Sequence, residues 1–144
     1  MKRTGVLLAV AALMTPAARA SAADTGWISV TKLHGARGQA CMLESTPDYP
    51  FHILFRIDAS RVESGWSKAI LTYKRPTDTT WRGWIPTARV QPGEVHPWLP
   101  GSTDDKPKAL RVAIKLEGGL HKSRRFAWDD LPMCPDGAEP FPTS

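Results

Sequence analysis

The sequence contains no asparagine. That removes every N-glycosylation acceptor and a favoured turn residue, so glycine, proline and aspartate must make the turns. No apolar run approaches the roughly 20 residues a membrane-spanning helix needs, and beyond residue 23 no run carries a helical period. Catalytic motifs are missing too: there is no HExxH, no GxSxG elbow, no Gly-rich phosphate loop and no EF-hand pattern. His34, His52, His96 and His121 lie in four separate segments, without the close pair that suits zinc. These absences predict a chain that is not an enzyme and takes no cofactor and no metal. Asp104-Asp105 and Asp129-Asp130 read as solvated or arginine-paired acids rather than calcium ligands.

Cysteine is scarce as well, with only Cys41 and Cys134. Their meaning depends on the compartment, and the N-terminus indicates one. Lys2 and Arg3 precede an apolar run at 6–14, and Ala18-Arg19-Ala20 offers the small residues of a peptidase cut. The expectation is a cleaved secretory signal peptide at 1–20, with a second cut option after Ala23, and a secreted or periplasmic product. In an oxidising compartment the two cysteines read as one disulfide, Cys41 to Cys134. Closing so long a loop contributes about 4 to 5 kcal/mol in the chain-entropy model.

Losing the leader also lowers the charge. Lys2, Arg3 and Arg19 leave with it, so 19 basic residues become 16 against 14 acidic ones, a net +2. A nucleic-acid binder shows a concentrated basic stripe. The one candidate is the tip of a C-terminal hairpin, with Lys115, Lys122, Arg124 and Arg125, and it reads more simply as a solvated edge that resists aggregation. No nucleic-acid partner is expected, and no membrane insertion after cleavage.

That hairpin organises the rest of the chain. In 109–117, Leu110, Val112, Ile114 and Leu116 alternate with Arg111, Ala113, Lys115 and Glu117, the period of a half-buried strand. After Gly118 and Gly119, residues 121–130 put Phe126 and Trp128 on one parity. A five-residue loop at 117–121 would set Val112 opposite Phe126 and Leu110 opposite Trp128, which keeps the dry faces together. Further strands are expected at 27–33, 39–43, 51–58 and 67–75, with weaker ones at 81–85 and 88–95. Five prolines between Ile85 and Lys108 limit that segment to an edge strand and loops. Residues 24–134 thus read as one all-β domain, an antiparallel β-sandwich, immunoglobulin-like in outline, with about seven or eight short strands and a 135–144 tail. A monomer is expected.

A hairpin followed directly by a cysteine is similar to the end of small secreted inhibitors of the subtilisin-inhibitor type. The chain has neither their second disulfide nor their helices, and no residue role is carried over.

Tryptophan is the one excess, six in 144 residues. Trp128 fits the core by its parity. Trp81 and Trp84 stand on opposite parities of one weak strand, so both face the core only if a bulge intervenes. Trp98 sits between Pro97 and Pro100 in an expected loop. An exposed indole beside Arg82 or Arg89 can stack on a sugar ring or receive a partner's side chain. The reading is an exported, non-catalytic binding domain that contacts a glycan or cell-envelope component through Trp81, Trp84, Trp98, Arg82 and Arg89. The alternative is a secreted protein-binding module or hydrolase inhibitor that uses the Pro-rich segment 95–108 or the basic hairpin tip 117–125.

Overall fold

The structure, a computed structural model, describes residues 28–135 and 138. The expected leader, Trp27 and all but two residues of the expected tail lie outside the described residues. Eight strands follow one another: β1 Ile28–Leu33, β2 Ala36–Met42, β3 Phe51–Asp58, β4 Ser67–Lys74, β5 Arg82–Pro86, β6 Leu99–Thr103, β7 Ala109–Leu116 and β8 His121–Phe126. The only helical element among the described residues is a single 3-10 turn, Trp128–Asp130. Residues 88–95, expected as a strand, make only two isolated bridges, Val90 to Ser67 and Val95 to Asp58. Pro92 and the left-handed Gly93 break the run between them.

The strands form two antiparallel sheets of four, ordered β1-β2-β3-β6 and β5-β4-β7-β8. Strand β2 lies over β7, β3 over β4 and β1 over β8, so the two sheets stack as a sandwich. The strand order is immunoglobulin-like in outline once β1 is set aside as an added edge strand: β2 and β6 flank β3 in one sheet, and β4 crosses to the second, where β5 and β7 flank it and β8 follows β7.

Alternation decides which side chains meet between the sheets. Ile53, Phe55 and Ile57 of β3 and Leu110, Val112 and Ile114 of β7 all point into the one core between the sheets, and all six are fully buried. Burying a side chain of this size contributes about 1.5 to 3 kcal/mol. The β1–β2 turn is His34-Gly35, both with positive φ, the conformation a two-residue hairpin demands. Gly38 on β2 lets the sheets approach: a Cβ there would lie 2.6 Å from Cγ1 of Val112.

The β7–β8 hairpin has the expected parity and a different register. Leu110 pairs with Phe126, Val112 with Arg124 and Ile114 with Lys122. Relative to the expected loop at 117–121, β8 has slid by two residues. Gly118 and Gly119 both take positive φ, and the Gly119 amide donates to the Leu116 carbonyl, so the turn closes within 117–119. A slide of two preserves facing, so alternation could not distinguish the two registers. Lys122 and Arg124 therefore sit opposite buried Ile114 and Val112, yet both are exposed because β8 is the last strand of its sheet.

The disulfide joins Cys41 to Cys134, with Cα atoms 4.8 Å apart. It ties the C-terminal segment to β2 and does not cross between the sheets. Two backbone hydrogen bonds support it: Met42 donates to the Pro132 carbonyl and Cys134 donates to that of Met42.

Candidate functional site

The outer face of the β5-β4-β7-β8 sheet carries the most concentrated chemistry of the molecule. Its four strands contain eight lysines and arginines and no aspartate or glutamate. The strands of the other sheet contain three and one. Charge is thus sorted by sheet, within a chain that carries 19 lysines and arginines against 14 acidic residues.

Register arranges the outward side chains in rows. Thr72, Arg111 and Arg125 stand side by side, then Ile70, Ala113 and Ser123, then Lys68, Lys115 and His121. Four residues of strand separate Arg111 from Lys115, about 13 Å at roughly 3.3 Å per residue. Between the two cationic rows the floor is uncharged, and a depression of about 340 Å³ opens there, lined by Ile70, Pro86 and Ala113 with Lys68, Lys115 and His121 at its rim.

An indole marks each end of this face. Trp81, just before β5, is half-buried and lies against the first row: the Arg111 guanidinium is 4.5 Å from its ring centre, Lys74 Nζ 5.2 Å and the Arg125 guanidinium 5.4 Å. Trp66, just before β4, carries the Arg89 guanidinium at 4.3 Å and Lys68 Nζ at 5.9 Å. Cations over an indole face are held electrostatically by the ring quadrupole. Clustered like charges would otherwise repel, and the indoles provide the compensation that acidic residues usually supply.

The five residues singled out from the sequence do not come together. Trp81 is on the outer face, and Arg89 is on the same side at Trp66. Trp84 points the other way. The β4–β5 pairing shifts register between Leu71 and Thr72, leaving Trp84 as the extra residue of a bulge. That bulge turns it inward, with its ring 4.8 Å from Tyr73 and its Nε1 over Gly101 of the facing sheet. Trp98 is only 9% exposed and belongs to a separate cluster with Cys41 and Leu54 on the outside of the other sheet, beneath the Arg56 guanidinium at 4.2 Å. Trp98 does lie in a loop, immediately before β6, which pairs with β3 as the expected edge strand, but it is buried there rather than exposed for a ligand.

Arg82 is exposed but committed. Its Nε and Nη2 donate to the Asp78 carboxylate at 2.8 and 3.1 Å. The Arg82 hydrogen bonds, with one from the Arg75 amide, hold the Asp78 carboxyl far below the usual carboxylate range. Of the alternative set, Lys115 and Arg125 project from the outer face, while Lys122 and Arg124 stand on the opposite parity. Asp129 pairs with Lys106 at 2.9 Å rather than with an arginine. Among the described residues no three histidine, cysteine or acidic side chains gather as a metal-binding group.

Comparison with known proteins finds no matching family model, no matching curated protein and no matching solved structure. The functional reading rests on the geometry of this chain.

Proposed function

We propose that this chain is a small exported, non-catalytic binding domain that contacts a glycan or another component of the cell envelope through the outer face of the β5-β4-β7-β8 sheet. The observation that carries the reading is the setting of Trp81: a half-buried indole on an open sheet face, held among Lys74, Arg111 and Arg125. An aromatic fixed in this way loses little ordering entropy on binding. Trp84, half-buried and turned between the sheets, and buried Trp98, on the other sheet, take no part. The disulfide is compatible with an oxidising compartment outside the cytoplasm, and no helix among the described residues is long and apolar enough to cross a membrane.

The test is retention of the oxidised domain on insoluble polysaccharides and cell-wall material, beside Trp81→Ala. The proposal expects retention by the wild type and loss in a variant whose circular dichroism is unchanged. Equal retention of both would overturn it.

A further inference from the structure

We propose that the ligand of this face is an acidic polysaccharide chain, which lays its sugar rings over the uncharged floor and its anionic groups against the two cationic rows. The inference rests on the binding function proposed above and specifies the chemistry of the ligand.

Three features of the face lead to it. The first is sign: the outward positions of the strands carry Lys68, Lys74, Arg111, Lys115 and Arg125 with no acid among them. A partner buried there must bring negative charge, because a neutral partner would strip water from these cations without repayment. The second is the interruption. Ile70 and Ala113 form an apolar floor between the rows, and its depression of about 340 Å³ falls at the low end of ligand-sized sites. A uniformly charged strand such as a nucleic acid would lay phosphates across that floor, where no cation meets them. An acidic glycan instead alternates ring faces with carboxylate or sulfate groups. The third is the state of the indoles. A neutral sugar stacking on Trp81 would have to compete with the guanidinium at 4.5 Å, whereas an anion approaching Arg111 joins it.

The face is an exposed sheet surface with a shallow depression at its middle, which suits a ligand that extends beyond it at both ends. From Trp81 past the two rows to Trp66 it offers more than one point of contact, so weak contacts along a repeating chain add through effective concentration.

The experiment measures binding of the intact oxidised domain to soluble polygalacturonate and to neutral dextran by calorimetry, at low and at high salt. A single-stranded oligonucleotide and anionic phospholipid vesicles are tested in parallel. Two double variants remove equal charge from different faces: Arg111→Gln with Lys115→Gln, and Lys122→Gln with Arg124→Gln. The expected result is binding to polygalacturonate that weakens with salt and is absent for dextran, falling at least about tenfold in the first variant and less than about threefold in the second. Equal loss in both variants would reduce the interaction to net charge and overturn the proposal, as would tighter binding to the oligonucleotide or the vesicles. Retention on cell-wall material that needs Trp81 but ignores both salt and competing polygalacturonate would overturn the acidic-ligand inference alone and leave the binding function standing.

Discussion

The Arg111 guanidinium lies 4.5 Å from the centre of the Trp81 ring, on the outer face of a sheet whose strands contain no acidic residue. The pair orders both partners before any ligand arrives, and each cation–π contact at a partly exposed site contributes about 0.5 to 1 kcal/mol. Trp81→Ala should therefore lower stability by about 1 to 2 kcal/mol in urea unfolding while leaving the fold intact. Arg111→Lys keeps the charge but loses the planar stack, and should fall between the two.

Gly101 faces Trp84 across the sandwich, where an added Cβ would lie 2.6 Å from the indole Nε1 and 2.7 Å from Cδ1 of Ile85. Gly101→Ala should cost about 1 to 3 kcal/mol through overpacking. Gly83, in the adjacent strand β5, meets nothing within 4 Å, so Gly83→Ala should stay within about 0.5 kcal/mol of the parent. Urea midpoints of the two variants make the comparison. Equal effects would contradict the packing of Trp84 between the sheets.

These two tryptophans also show how far the sequence could be read. Period-two alternation identified strands at 51–58, 67–75 and 109–117, and the structure places β3, β4 and β7 there; 67–75 reads as covered on both faces at its middle, whereas Ile70 is only half-buried on the outer face. Alternation also stated the condition for Trp81 and Trp84, that only a bulge brings both inward. A bulge does occur, and it turns in Trp84 and Ile85 while Trp81 stays outside. Its position depends on the pairing with β4, which a single strand does not encode. The hairpin slide was invisible for a related reason, since two residues is a full period. Trp66, Lys68 and Arg111 were missed because strand order brings them to one face with Trp81. A usable signal was present, however: SKAILTYK, RGWIP, ALRVAIKL and HKSRRF are all free of acids.

The disulfide spans a sequence separation of 93 and anchors the segment after the 3-10 turn to β2. Replacing both cysteines by alanine should cost about 4 to 5 kcal/mol in the chain-entropy model. Trp98, packed with Cys41 and Leu54, reports the same event, so its indole environment should change with reduction while that of Trp81 does not. Denaturation with and without reductant, read by the two indoles, checks both statements.

Acid should destabilise the domain through two carboxylates. Asp78 is held low by Arg82 and the Arg75 amide. Burial alone would raise Asp58, but hydrogen bonds from Ser60 and the Arg37 ion pair bring it below its ordinary value. With both folded values depressed, the unfolded chain binds more protons. The stability they supply is complete above an unfolded carboxylate pKa of about 3.9 and is lost as pH falls through the folded values. Burial also lowers His52, so its protonation adds an earlier loss below about pH 6.5. As pH falls, the melting temperature should decline first below about 6.5, through His52, and then further through the carboxylate range, and Asp58→Asn should flatten that second part.

The most direct measurement is the set of indole N–H resonances of the 15N-labelled, oxidised domain during titration with a soluble acidic envelope polysaccharide. Trp81 and Trp66 stand on the outer face, Trp84 lies between the sheets, and Trp98 packs on the outside of the other sheet. The account predicts that the first two shift with saturation while Trp84 and Trp98 stay fixed. Saturable shifts at Trp98 with Trp81 unmoved would place binding on the opposite side of the molecule and contradict it.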